Sequence, residues 1–109
     1  MIIISFEDQP LHDACVDLQR AEQLFGSVHA IALVTFISDA QAFENVAELI
    51  DFLGDDLTFS AGDSLSVPIG SDYRAVLVVA GKRFELDAGG RIVWASVTRL
   101  KLVEISRLP

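Results

Sequence analysis

Apolar residues in this chain follow two spacings, and the change from one to the other falls near its middle. From about Pro10 to Leu53 they recur mostly every three or four positions, and beyond it they alternate with polar ones. The first spacing lines one face of a helix and the second lines one face of a strand. Leu11, Cys15, Leu18, Ala21 and Phe25 predict a helix from about Pro10 to Phe25, with Asp13, Asp17, Arg20 and Gln23 turned outward. Asp8 suits its N-cap, Pro10 its first turn and Gly26 its stop. Ser27 suits the cap of a second helix, Val28 to about Ile37. That helix is apolar almost all round, which predicts burial between layers, and Ser38-Asp39 should break it. A third helical piece, about Phe43 to Leu53, carries Val46, Leu49, Ile50 and Leu53 on one side and ends at Gly54.

Strand patterns flank these helices. Ile2 to Phe6 is β-branched or aromatic, with Pro10 beyond it. After the helices, short strands are expected at Leu57–Ser60 and Ser64–Ile69, the latter at an edge or irregular because of Pro68. Tyr73–Ala80 is Val-rich and reads as a central strand. Lys82–Ala88 and Arg91–Ser96 read as a hairpin turning at Gly89-Gly90, and Val97–Arg107 as the last strand. In that strand Leu100 and Leu102 share one face, Arg99 and Lys101 the other. Ile105 breaks the parity, which predicts a bulge near Val103. Helices grouped before a run of strands predict an α+β fold over residues 1–109. It comprises a short N-terminal strand, two to three helices, then a mostly antiparallel twisted sheet with helices on one face.

A chain of 109 residues that is 51% hydrophobic has the size and composition to build one packed core. No apolar run reaches the ~18–20 residues of a membrane span. The first nineteen residues hold no Lys or Arg, unlike a secretory leader. A cytoplasmic protein without a membrane partner is the expectation. Charge is segregated. Residues 1–72 carry thirteen acids against Arg20 alone, a balance of −12, and residues 73–109 carry three acids against seven bases, a balance of +4. The net charge of −8 argues against a polyanion as partner, yet a local positive face can still hold phosphate.

Several residue types that often carry chemistry read here as structure. Cys15 is the only cysteine, so no internal disulfide can form, and it sits on an apolar face among acids, without the cationic neighbour a nucleophilic thiol needs. His12 and His29 fall within helices, far along the chain from the sheet. Asp55, Asp56 and Asp63 lack the spacing of a cation-binding loop and read as turn residues. No metal and no cofactor is expected. Gly89-Gly90 precedes a strand, whereas a phosphate cradle would precede a helix. Trp94 reads as a packing residue.

Four stretches together are similar to the RelE/ParE superfamily, in its HigB-like plasmid-maintenance killer branch. They are the opening helix Leu11–Gly26, the segment Ala40–Leu53, the strand Asp72-Tyr73-Arg74-Ala75-Val76-Leu77, and the Trp94-led turn feeding the final strand to Ser106. The resemblance spreads over nearly the whole chain and rests on order and spacing. It implies the toxin of a type II toxin–antitoxin module, a metal-independent mRNA endoribonuclease, with a cognate antitoxin and mRNA or the ribosome as partners. It implies that Arg74 is catalytic, its guanidinium gripping phosphate oxygens and stabilising charge as a ribose 2′-hydroxyl attacks. Arg99 and Lys101 occupy the strand where relatives hold RNA-binding cations, and Lys82 and Arg83 add to them. Two departures imply weak or absent turnover: no Tyr or His follows the last strand, which runs out as Ile105-Ser-Arg-Leu-Pro109, and the chain is acidic where active relatives are basic.

The residues also admit plainer roles. Arg74 could pair with an acid and tie the sheet to the helices, Arg99 and Lys101 could form a solvated outer face, and Lys82-Arg83 could be an exposed turn. On that reading the helical acids Asp13, Asp17, Glu22, Glu44, Glu48 and Asp51 make an interaction module for a basic protein. A homodimer through the sheet edge is the third expectation.

Overall fold

The computed structural model describes residues 1–60, without the side chain of Ser60, and residues 64–108. The Asp63 turn residue and Pro109 lie outside the described residues. The chain runs β1 (Ile3–Phe6), α1 (Gln9–Val16), α2 (Leu18–Phe25), α3 (Ser27–Ala42), α4 (Val46–Leu53), β2 (Thr58–Ser60), β3 (Ser64–Ile69), β4 (Tyr73–Val79) and β5 (Arg99–Arg107). Single 3-10 turns stand at Gly54–Asp56 and Trp94–Ser96. This is the expected α+β fold. The strands form one five-stranded sheet in the order β1-β5-β4-β3-β2. β1 runs parallel to β5 and the other neighbours are antiparallel. β4 is the middle strand, as its Val-rich composition predicts.

The two faces of the sheet separate cleanly. Ile4, Leu65, Val67, Ile69, Ala75, Leu77, Leu100 and Leu102 are buried on the inner face and pack with Leu33, Ile37 and Ala40 of α3. Cross-strand partners share a face, so Leu65 opposite Leu77 and Leu77 opposite Leu102 stack into one layer. Every second residue turns the other way: Ile3, Ser5, Ser66, Arg74, Val76, Val78, Arg99 and Lys101 form an outer face. Ile3 on this face is half exposed, and Val76 and Val78 are only partly covered.

The bulge falls where the parity break predicts. Val76 pairs with Glu104 and Leu77 with Leu102, leaving Val103 as the extra residue. A regular ladder would set Val103 opposite Val76 and turn Glu104 into the core. The bulge instead returns Ile105 to the inner face opposite Ala75. Deleting Val103 should therefore leave a folded protein, because Leu102, Glu104 and Ile105 then alternate regularly in the same register. Thermal melts should show a cooperative transition for that deletion. Loss of the transition would mean that the added twist at the bulge, and not the register, is what the fold requires.

Several local expectations need correction. The first helix is two helices. The Asp17 carboxylate accepts hydrogen bonds from the backbone N–H groups of Gln19 and Arg20, capping α2, while the Asp17 N–H closes α1 on the carbonyl of Asp13. An Asp that satisfies free helix-start donors competes with helix continuation. α3 runs through Ser38-Asp39 to Ala42, because burial of Ile37 and Ala40 outweighs the poor helix propensity of Ser and Asp. Ser27 is its first residue and forms no side-chain cap. α3 is also not covered all round, since Val28 and Ile31 stand exposed. α4 starts at Val46, where the Asn45 side chain accepts from the Glu48 N–H and the Glu48 carboxylate accepts from the Glu44 N–H.

Lys82–Ala88 and Arg91–Ser96 are not strands. A single bridge joins Leu86 to Ile92. Phe84 and Ile92 pack against the core, but Leu86 is 58% exposed, so the alternation is not rewarded along its length. The turn at Gly89-Gly90 does form, with the Asp87 carboxylate accepting from the N–H groups of Gly89 and Arg91. Pro68 is tolerated because β2 pairs only with Ser64–Ser66 and ends short of it.

Candidate functional site

Arg74 follows Tyr73 and precedes the buried Ala75, so the pleat sends its side chain to the outer face. There it lies across β3 towards β2. Its Nε donates to the Ser66 hydroxyl at 2.6 Å, and its Nη2 donates to the Thr58 hydroxyl at 3.3 Å and the Ser66 carbonyl at 3.4 Å. Ser66, buried in the sheet, is thereby satisfied. Among the described residues no carboxylate pairs with Arg74. The tie between Arg74 and an acid, considered from sequence, does not form there. The charge is held by neutral oxygens, and the Nη1 donors of its five-donor fork have no described partner.

The other basic residues divide. Lys101 also faces outward, opposite Val78, but its Nζ lies 3.1 Å from the Glu7 carboxylate. Arg107 lies 5.9 Å from the centre of the Tyr73 ring, a cation–π contact on the inner side. Lys82, Arg83 and Arg99 come together. With Ala80, Gly81, Phe84, Val97 and Thr98 they line a pocket of about 290 Å³ where β4 leaves the sheet and β5 enters it. None of the three makes an ion pair among the described residues. Arg74 is four residues along β4 from Val78, hence about 13 Å from Lys101 along the sheet and farther from Arg99. Four of the seven basic residues of the last third therefore stand in two separate places, Arg74 in one and Lys82, Arg83 and Arg99 in the other, and not in one concave site.

Both histidines lie on the helical side. His12 stacks edge-on to Phe6 at 5.2 Å and contacts Asp13 at 3.1 Å. The His12 ring, then the Gln9 amide, hold the Asp13 carboxyl below its ordinary value. His29 packs edge-on to Tyr73 at 5.1 Å, its Nε2 buried 3.5 Å from an Asp72 carboxylate oxygen. Tyr73 is an inner-face residue, so the sheet separates His29 from Arg74. No general acid or base of this kind stands beside the Arg74 guanidinium. Among the described residues no group of His, Cys, Asp or Glu is arranged to hold a metal ion. Trp94 packs against Phe59, ring centres 5.6 Å apart, as a packing residue should.

Cys15 is buried, and desolvation pushes its thiol from 9.0 up to about 12. The folded thiol holds its proton more tightly than the unfolded one. Its contribution to stability is present below about pH 9 and is lost as pH climbs from there towards about 12. Alkylation of Cys15 at pH 8 is expected only on unfolding, and Cys15→Ala should flatten the alkaline fall in stability. Rapid labelling of the native protein at pH 8 would contradict this.

The hydroxyl pair under Arg74 was not legible from sequence, because Ser66 and Thr58 meet it only through the strand register. The gathering of Arg99 with Lys82-Arg83 likewise depends on how the 80–98 segment returns to the sheet. No family model, no curated protein and no solved structure matches the chain. Among the described residues no helix is long and apolar enough to cross a membrane.

Proposed function

We propose that this chain is the toxin-like component of a type II toxin–antitoxin module, built on a RelE-like scaffold. It holds RNA on the outer face of its sheet and cleaves it slowly or not at all. The observation that carries the reading is Arg74: a guanidinium set by two hydroxyls on an open face, without a described carboxylate to neutralise it. Arg99, Lys82 and Arg83 form a second cationic centre farther along the sheet, and Lys101 between the two can reach RNA only by giving up Glu7. The slow turnover follows from what surrounds Arg74. It can stabilise charge at a phosphate, but no histidine stands by to move the proton of a 2′-hydroxyl.

Single-stranded RNA binding measured against salt is the test. With three phosphate contacts, log affinity should fall against log salt with a slope of about −2. Arg74→Ala should weaken binding by about tenfold, the scale of one charge-assisted contact of ~1.5 kcal/mol. RNA that stays unbound at low ionic strength would end the reading. Expression without a partner bears on turnover: growth arrest relieved by Arg74→Ala would identify an active ribonuclease and overturn the slow-turnover half.

A second reading is an acidic interaction module for a basic protein, with a cognate antitoxin as one such partner. Exposure of Asp17, Glu22, Glu44, Glu48 and Asp51 in the helical half, on the helices or at their caps and links, favours it, together with exposed Val28 and Ile31 on α3. A helical half that exposes both acids and apolar side chains suits a cationic amphipathic helix.

A further inference from the structure

We infer that the pocket between residues 80–84 and 97–99 is a binding site for a phosphate monoester, of the size of a mononucleotide. This deepens the RNA-binding reading at its cationic end and rests on it only for the choice of a nucleotide. The pocket concentrates three of the chain's eight basic residues, Lys82, Arg83 and Arg99, in a protein of net charge −8. Like charges gathered in one pocket repel one another. Carboxylates are plentiful elsewhere, and neighbouring Lys101 has found one in Glu7. No carboxylate lines this pocket, Glu85 following the loop without being part of the lining.

The rest of the lining suits the same ligand. The backbone N–H groups of Gly81, Lys82, Arg83 and Phe84 make no hydrogen bond to described residues, although the Ala80 N–H bonds Arg99 and the Glu85 N–H bonds the Ser96 hydroxyl on either side. The four residues whose N–H groups are unspent all belong to the pocket lining, in a short loop closed at both ends, so an anion there has backbone donors within the same loop to draw on. Thr98 is a polar residue of the lining, while the partly buried Phe84 supplies an apolar wall for a ring. About 290 Å³ is at the small end of ligand pockets. It takes a phosphate with one attached group and not a folded polymer. Three cations match a monoester better than a diester, because a monoester carries close to two negative charges at pH 7 and sheds one near pH 6.

Titration of the ¹⁵N-labelled full chain with inorganic phosphate and, separately, with adenosine 5′-monophosphate tests the inference. Amide shifts should saturate at millimolar ligand and centre on 81–84 and 97–99, with the nucleotide bound more tightly than free phosphate. Affinity should drop several-fold between pH 7.5 and pH 5. The double variant Lys82→Glu, Arg83→Glu should lose at least tenfold; both positions are exposed, and a melt checks that the variant is folded. Arg74→Ala should leave phosphate binding unchanged, which separates this site from the RNA reading: RNA binding can fail while phosphate still titrates these amides. Absence of saturable shifts, shifts centred elsewhere, or a double variant that binds as well as the parent would each overturn it. Equal affinity for phosphate and nucleotide would remove the role of the apolar wall and with it the mononucleotide.

Discussion

Gly70→Ala is expected to lower stability by about 3 kcal/mol, from two sources that can be measured apart. Gly70 stands in the β3–β4 turn with φ +64°, a conformation that costs a residue with a Cβ roughly 1–2 kcal/mol. The added Cβ would also fall 2.6 Å from Cδ2 and 3.2 Å from Nε2 of His29. That ring has little room to retreat. Tyr73 packs against it edge-on at 5.1 Å, and Asp72 lies 3.5 Å from its Nε2. Overpacking of this kind costs roughly 1–3 kcal/mol. For a domain of this size about 3 kcal/mol lowers Tm by roughly 10–20 °C. In a His29→Ala background the steric part should vanish and the backbone part remain, so the same substitution should cost about 1 kcal/mol there. A Tm within roughly 4 °C of the parent's would show that the turn relaxes and that His29 is not wedged.

His29 illustrates why the fold was more legible in the sequence than the site. The helix face made by Leu33, Ile37 and Ala40 and the strand faces of Leu65, Leu77 and Leu102 follow from spacing alone, because burying an apolar face is a local pattern with one physical outcome. The bulge at Val103 followed from parity for the same reason. Where spacing met a competing local interaction it misled. Asp17 is a capping side chain inside a helical pattern, and its hydrogen bonds divide the helix. Lys82–Ala88 alternates, but Leu86 meets only Ile92 through a single bridge and stays exposed, so the alternation is not rewarded by burial. The cations show the limit most plainly. That Arg74 faces away from the helices follows from Ala75 facing them. That Arg74 rests on Ser66 and Thr58, and that Arg99 joins Lys82 and Arg83, depends on long-range register and on the path of the 80–98 segment. Charge counted along the chain carries neither.

Leu77→Ala should cost the most of any single truncation in the sheet, about 4 kcal/mol. Leu77 is fully buried on the middle strand, with Leu65 opposite on one side and Leu102 opposite on the other. Truncating a buried Leu removes its transfer free energy and leaves a cavity, together ~2–5 kcal/mol, with the higher values where surroundings cannot close in. Two flanking strands fix the backbone at Leu77, and α3 is held above by Leu33 and Ile37, so the upper part of that range applies. This is a large share of the ~5–15 kcal/mol that holds a typical domain. Val78 is the control. It is the next residue on the same strand but points to the outer face opposite Lys101, only partly covered. Val78→Ala should cost under ~1 kcal/mol, because little apolar area leaves water there on folding. Urea unfolding of both variants, with unchanged slopes, measures the contrast. Similar costs at the two positions would mean that a partner or a second copy covers the outer face, and the open cationic surface on which Arg74 is set would no longer be open.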